Sequence, residues 1–187
     1  MKRSLSILVV VFLCAPLSRA QRTSFGESQI AASFTATFSH VGGELSYGQY
    51  LIRGFWLTEL GYHNRIERDI PSGETIYYPR VQLRGGYMYR LLSNYPRSLN
   101  FYGGGDAFIG VELFDVYRTL SESTRQAYYY NGFHDYQFIY GVAPRLELEC
   151  FLAPSVASLL RVRVPLCFGT PFPTLGWEVG IGAKVNF

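Results

Sequence analysis

Apolar and polar residues alternate along most of this 187-residue chain. The pattern is clearest in the closing sequence "GWEVGIGAKVNF", where every second residue is apolar. The apolar set is Trp177, Val179, Ile181, Ala183, Val185 and Phe187. Because successive side chains of a β-strand point to opposite faces, this period of two predicts a strand with one apolar face.

Eight segments of this kind follow residue 28, and the sequence around them has no convincing helical period. They cover about 29–40, 44–52, 54–67, 75–92, 99–113, 133–152, 156–168 and 176–187. The connections after the second, fourth and sixth segments are short, and most of the others are longer. An even number of strands with this alternation of loop lengths is typical of bacterial outer-membrane barrels. The sequence therefore predicts an all-β fold, an antiparallel up-and-down transmembrane β-barrel of about eight strands.

Alternation alone does not separate this fold from a soluble barrel, whose interior is apolar. Several features favour the membrane. Many segments exceed the roughly 9 to 11 residues that cross a bilayer at a tilt. Tyr and Trp occur near segment ends, where interfacial girdles lie. Charged residues make up 17% of the chain against about 25% in an ordinary soluble domain, so part of the surface is expected to face lipid.

The first residues, "MKRSLSILVVVFLCAPLSRAQ", combine a basic start, a short apolar stretch and small residues before Gln21. This is the pattern of a secretory signal peptide. The expected organisation is a cleaved signal peptide at 1–20, a short N-terminal segment at 21–28 and a barrel domain at 29–187. The expected location is the outer membrane of a Gram-negative bacterium, with membrane lipid as a partner.

Loss of the signal peptide would also change the charge of the chain. It would remove Lys2, Arg3 and Arg19 and no acid, so the formal charge of +3 would fall to zero. Nucleic-acid binding requires a basic face that displaces counterions. No direct nucleic-acid binding is therefore expected of the mature chain.

The polar faces of the predicted strands carry charges of both signs. The inward set is Arg80, Arg84, Asp106, Glu112, Arg145, Glu147, Glu149, Arg161, Arg163, Glu178 and Lys184. The arginines could form a substrate-selective ring, or the whole set could form a buried ion-pair network. The network is favoured because an eight-stranded barrel is just wide enough for side chains to fill. The lumen is thus predicted to be a plug, with no small-molecule substrate.

Other chemistry has weak support. A lipid-modifying barrel enzyme needs a nucleophile and an oriented base at the external rim. His40 and His134 are expected near that rim; Ser39, Ser121 and Asp135 are too. Their spacing is not diagnostic and metal-ligand spacing is absent, so no catalytic residue, metal or cofactor is assigned.

Cys150 and Cys167 are the only cysteines after the predicted cleavage site. They would lie at opposite ends of the hairpin formed by the sixth and seventh strands, and they would face different sides of it. A disulfide requires Cα atoms within about 7 Å. Two free thiols are therefore predicted.

The segment 115–131, "DVYRTLSESTRQAYYYN", is predicted to be an external loop. Its run Tyr128, Tyr129 and Tyr130 consists of a residue type enriched at protein interfaces. The same run could form part of an aromatic girdle where the sixth strand enters the membrane. The sequence leaves a partner-binding loop and a girdle both open.

Several stretches resemble the TraO proteins of Bacteroidetes conjugative transposons. These are "RGGYMYRLLSN", "SLNFYGGGDAFIGVE", "FIYGVAPRLELECFLAPSVASLLRVRV" and the closing "GWEVGIGAKVNF". The resemblance implies an outer-membrane component of a type IV-like DNA-transfer apparatus, with other transfer proteins as partners. It supplies no catalytic residues. The alternatives are a general outer-membrane barrel for adhesion or slow solute permeation and, less favoured, the rim enzyme.

The closing strand has a further expected role. Outer-membrane barrels close by pairing the last strand with the first, here the segment at 29–40. The alternating residues that end in Phe187 are expected to act as the assembly signal, with Phe187 at the periplasmic rim.

Overall fold

A computed structural model describes residues 25–37, 40–68, 75–94, 98–114, 121–130, 134–170 and 175–187. These residues form nine strands and one helix. The strands are β1 (Ser28–Ala36), β2 (His40–Leu51), β3 (Gly54–Arg68), β4 (Thr75–Ser93), β5 (Leu99–Leu113), β6 (Tyr136–Ala153), β7 (Val156–Arg163), β8 (Leu166–Phe168) and β9 (Glu178–Asn186). The helix, α1, spans Glu122–Tyr130. The predicted signal peptide lies outside the described residues.

The strands close into a barrel. Each of β1 to β6 pairs antiparallel with the next strand, and β9 pairs with both β7 and β1. Strands β7 and β8 both pair with β6, so they are two parts of one strand position, separated at Val164 and Pro165. Pro165 has no N–H to donate to the ladder, which accounts for the break. The predicted eight-stranded antiparallel barrel is confirmed.

The two ends of the barrel differ. At the short-turn end, Leu51 pairs with Gly54 and Ala153 with Val156, so β2–β3 and β6–β7 are tight hairpins. The backbone groups of Ser28 and Phe187 bond reciprocally at this end, at 2.9 and 3.0 Å. The connections β3–β4, β5–β6 and β8–β9 lie at the opposite, long-loop end.

Two predicted boundaries were wrong at the long-loop end. Strand β1 ends at Ala36, and β2 begins at His40 instead of near residue 44. The predicted "VGG" turn is therefore part of β2, where Gly42 and Gly43 pair with β1. Pairing with a neighbouring strand overrides the turn preference of glycine. The absence of a side chain at Gly42 leaves space for the His63 ring. A Cβ there would lie 2.4 Å from Nδ1 of His63.

The predicted 115–131 loop contains α1, which was not expected. The Ser121 hydroxyl accepts a 3.4 Å hydrogen bond from the Thr124 amide, and Glu122 lies in the first turn. Both features favour a helix start. The helix has only nine residues and a largely polar sequence, so it offered no apolar stripe to detect. No helix in the described parts of the chain has the length and apolar composition needed to cross a membrane.

The outer surface of the barrel is apolar across neighbouring strands. Leu60 on β3 pairs with Leu45 on β2 and Leu83 on β4. Leu45 is 57% exposed, Leu60 55% and Leu83 48%. Charged side chains of the same strands point inward and are buried, among them Glu44, Glu59 and Arg84. This polarity is the reverse of a soluble barrel and matches a barrel whose exterior faces lipid.

We expect the substitution Leu60→Arg to destabilise the barrel in a bilayer by about 2–4 kcal/mol, the cost of Arg near the midplane of the lipid face. Leu60 lies near the middle of β3, with apolar neighbours on both sides. The matched control is Ile52→Arg in the β2–β3 turn, where Ile52 is 76% exposed. Urea unfolding in lipid vesicles measures both. Equal costs for the two variants would contradict a lipid-facing belt around Leu60.

The two cysteines are free, as predicted. Cys150 pairs with Leu99 and Ser158 near the short-turn end, whereas Cys167 pairs with Gly141 on the other side of the Pro165 break. Both side chains are buried.

Candidate functional site

The lumen holds a charge-balanced cluster. Among the described residues, seven acidic and seven basic side chains other than histidine are buried in the barrel interior. The acids are Glu44, Glu59, Asp106, Glu112, Glu147, Glu149 and Glu178. The bases are Arg65, Arg80, Arg84, Arg145, Arg161, Arg163 and Lys184. Buried charges are tolerated only when they are paired and hydrogen-bonded, so their contacts decide whether this interior is stable.

Glu59 on β3 lies at the centre of the cluster. Its carboxylate accepts hydrogen bonds from Arg145 at 3.2 Å, Arg161 at 2.6 Å and Arg163 at 2.5 Å. Glu44 on β2 shares two of these partners, bonding Arg161 at 2.8 Å and also Arg163. Two carboxylates and three guanidinium groups therefore join β2 and β3 to β6 and β7 across the lumen.

Further pairs extend the cluster toward both ends. Towards the long-loop end, Arg80 pairs with Glu112, which also accepts a 2.7 Å bond from Thr170. Arg84 bonds Asp106 at 3.0 Å.

Towards the short-turn end, Lys184 contacts Glu147 at 3.0 Å and also pairs with Glu149. Arg145 contacts Glu147 at 2.5 Å. The structure thus brings every sequence-predicted lumen residue into at least one charged contact.

Glu44 and Glu59 were not predicted, although Glu59 lies within ion-pair distance of four arginines, more than any predicted acid does. The alternation in β2 and β3 is less regular than in the later strands, so neither face was assigned there. A signal was available. Leu45 and Leu60 are apolar neighbours of the two glutamates, and an outward leucine places the adjacent residue inward.

An apolar layer lies between the charged cluster and the short-turn end. Tyr50, Phe55, Leu57, Met88 and Tyr102 form one buried cluster. The rings of Phe55 and Tyr102 meet edge to face at 4.9 Å. The Tyr50 hydroxyl donates a 3.0 Å hydrogen bond to Glu149, and Lys184 Nζ lies 4.3 Å from the Phe55 ring. Side chains of described residues therefore fill this end of the lumen.

The rim residues weighed for catalysis have separate contacts. His40 is buried against Thr37 and Glu178, Ser121 caps α1, and Asp135 accepts a hydrogen bond from Tyr129. His134 is exposed, and Ser39 lies outside the described residues. In the described part of the chain, no contact joins these residues into a nucleophile and base.

The tyrosine run forms the end of α1. Tyr129 is exposed at 38%, and its hydroxyl bonds Asp135 at the start of the segment leading into β6. The side chains of Tyr128 and Tyr130 lie outside what the structure describes. Tyr129 is thus anchored next to the membrane-facing strand β6, which suits both a girdle and a loop that binds a partner.

The closing strand presents its apolar residues outward. Trp177 precedes β9, and Ile181, Val185 and Phe187 are exposed, as is Ala183, with Val179 half-buried. Strand β9 pairs with β1 from Gln29 opposite Asn186 to Ala36 opposite Val179. The predicted pairing of the last strand with the first is therefore present along the whole seam.

The sequence model of the family described as "Conjugative transposon protein TraO" matches residues 53–187. The chain belongs to the TraO family. The match runs from the β2–β3 turn to the end of β9 and includes the region whose motifs suggested the resemblance. No curated protein matches this TraO-family chain.

Solved structures with a similar fold include barrel and surface proteins of bacteria. Neisserial surface protein A aligns with a TM-score of 0.59 at 12% identity, covering 88% of this chain and 98% of that one. The N-terminal barrel domain of Pseudomonas aeruginosa OprF aligns at 0.56 and 13% identity, covering 87% and 98%. Ail, the attachment invasion locus protein of Yersinia pestis, was solved with the heparin analogue sucrose octasulfate; it aligns at 0.51 and 14%, covering 88% and 100%. At such identities these likenesses show the fold of the TraO-family chain alone.

Proposed function

We propose that this TraO-family chain is an integral outer-membrane barrel that anchors or helps to assemble a conjugative DNA-transfer apparatus. The observation that carries the proposal is that the barrel has an apolar exterior and a charged interior. The chain that forms this barrel belongs to a conjugative-transposon family. Residues 1–20 would direct export and be cleaved, leaving a segment at 21–28 and the barrel at 29–187. Lipid of the outer membrane is the partner of the apolar belt.

The role proposed is structural and non-enzymatic. The lumen is occupied by paired charges around Glu59 and by the apolar layer around Phe55, which argues against a passage for DNA. An eight-stranded barrel has an interior just wide enough for side chains to fill. The equal numbers of buried acids and bases also provide no basic lining for a polyanion.

Other transfer proteins would then contact the outside of this barrel. Among the described connections, those at the short-turn end are tight turns such as Ile52–Arg53, so the surfaces proposed for contact are the barrel flank, the 21–28 segment and the long-loop end. At the long-loop end, α1 carries the exposed Tyr129, a residue type favoured at interfaces.

A clean deletion in a donor strain tests this function. Transfer frequency is expected to fall to that of a donor without a transfer apparatus, while resistance to detergents and large antibiotics stays normal. Expression of the wild-type chain in trans should restore transfer. Normal transfer together with a leaky envelope would instead support a general outer-membrane barrel.

A further inference from the structure

Two histidines and one carboxylate converge inside the barrel near its long-loop end. His40 lies at the start of β2, His63 on β3 and Glu178 at the start of β9. Their candidate ligand atoms all lie within 4.8 Å of one another, and the three residues are 7%, 1% and 2% exposed in that order. We propose that His40, His63 and Glu178 form a binding site for a divalent zinc ion.

The position of Nε2 of His40 is the first support. Nε2 is buried, makes no well-aligned hydrogen bond and lies 3.3 Å from Oε1 of Glu178, within ion-pair distance. Two ligands that are each about 2.1 Å from a tetrahedral zinc ion lie about 3.4 Å apart. The Nε2–Oε1 distance is therefore suited to two ligands of one ion.

The groups around His40 and Glu178 orient them as outer-shell groups do at zinc sites. Nδ1 of His40 lies 2.9 Å from the Thr37 hydroxyl, and when Nδ1 donates this bond, Nε2 keeps its lone pair. On Glu178, Arg163 at 3.0 Å and Arg84 at 3.5 Å both contact Oε2. These contacts hold the carboxylate while Oε1 remains directed at His40.

The chain makes room for the His63 ring. A Cβ at Gly42 would lie 2.4 Å from Nδ1 of His63, and a Cβ at Gly61 would lie 2.9 Å from Nε2. The ring nitrogens are flanked by the Thr35 hydroxyl at 3.4 Å from Nδ1 and the Gln82 amide nitrogen at 2.8 Å from Nε2. Nε2 also lies 3.3 Å from Oε1 of Glu44. Neutral imidazole retains one lone pair in either tautomer. One ring nitrogen of His63 can therefore bind the ion when its hydrogen bond to Gln82 or to Thr35 breaks.

The donor set determines the class of ion. Imidazole nitrogen with carboxylate oxygen suits Zn²⁺ better than Mg²⁺ or Ca²⁺, which prefer all-oxygen sites. Because β1 lies between β2 and β9 in the sheet, an ion held by His40 and Glu178 would connect the two sides of the barrel seam. Bound zinc would therefore stabilise barrel closure.

The test uses the full-length folded barrel, purified in detergent without a histidine tag. We expect it to bind one equivalent of Zn²⁺ by titration and to give the absorption of tetrahedral Co²⁺ when cobalt replaces zinc. Zn²⁺ should also raise the urea midpoint of unfolding. His40→Gln should bind no Zn²⁺ and should show no Zn²⁺-dependent shift of the urea midpoint. Thr37→Val removes the hydroxyl next to Nδ1 of His40, so it should weaken Zn²⁺ binding by about 10- to 100-fold.

The matched control is His134→Gln, because His134 is exposed and outside the cluster. It should bind Zn²⁺ as the wild type does. Heat-modifiable migration on gels checks that each variant is folded, and the cobalt spectrum of the wild type stands even if a variant fails to fold. No Zn²⁺ binding by the wild type, or equal loss in His134→Gln and His40→Gln, would overturn the site.

Discussion

Glu59→Gln is expected to lower the free energy of unfolding by about 3–5 kcal/mol, the typical cost of removing one partner from a buried ion pair. Glu59 accepts hydrogen bonds from three arginines on β6 and β7. Its neutral replacement would leave three buried guanidinium groups to share Glu44 and the remaining acids. Urea unfolding of the barrel in lipid vesicles, followed by tryptophan fluorescence, measures the loss.

The matched control for this change is Glu122→Gln on α1. The Glu122 side chain is 73% exposed and lies 3.8 Å from Arg125, so this ion pair is screened by water. The unfolding midpoint of Glu122→Gln should match that of the wild type. A cost below about 1 kcal/mol for Glu59→Gln would mean that the lumen pairs rearrange freely and that Glu59 is not their centre.

Phe187→Asp is expected to abolish delivery of the chain to the outer membrane, leaving unfolded protein in the periplasm. The Phe187 side chain is 65% exposed at the short-turn end, where its backbone closes the seam with Ser28. An acidic residue near the interface costs the folded barrel only about 0–1 kcal/mol. A complete loss of assembly would therefore come from failed recognition of the closing strand rather than from lost stability.

Two measurements separate these causes. Cell fractionation with heat-modifiable gel migration reports assembly, and refolding into detergent reports stability, which should stay near that of the wild type. Phe25→Asp is the matched control, since Phe25 lies at the same end with 71% exposure but outside the strands. Normal outer-membrane barrels from Phe187→Asp would remove the proposed assembly signal.

The inward face of a strand was predictable where apolar and polar residues alternate regularly along it. In β5, the inward residues Asn100, Tyr102, Asp106 and Phe108 were assigned correctly, because apolar residues alternate with them on both sides of the three glycines at 103–105. In β2, Gly42 and Gly43 suggested a turn, so the first part of the strand and the inward direction of Glu44 were not predicted. The helix α1 was missed for a different reason, since a short polar helix has no periodic apolar stripe.

Alternation with a period of two was enough to predict the strands and the outward faces of the regular ones, because side-chain direction in a strand is a local property. The pairing of β9 with β1 was expected from the closure of a barrel, not from alternation. The ion pairs and the His40–His63–Glu178 cluster depend instead on the closed barrel. Glu59 and Arg163 are 104 residues apart, and no local pattern relates them. The register of the sheet and the curvature of the barrel bring such residues face to face, so their partners became identifiable only in the folded chain.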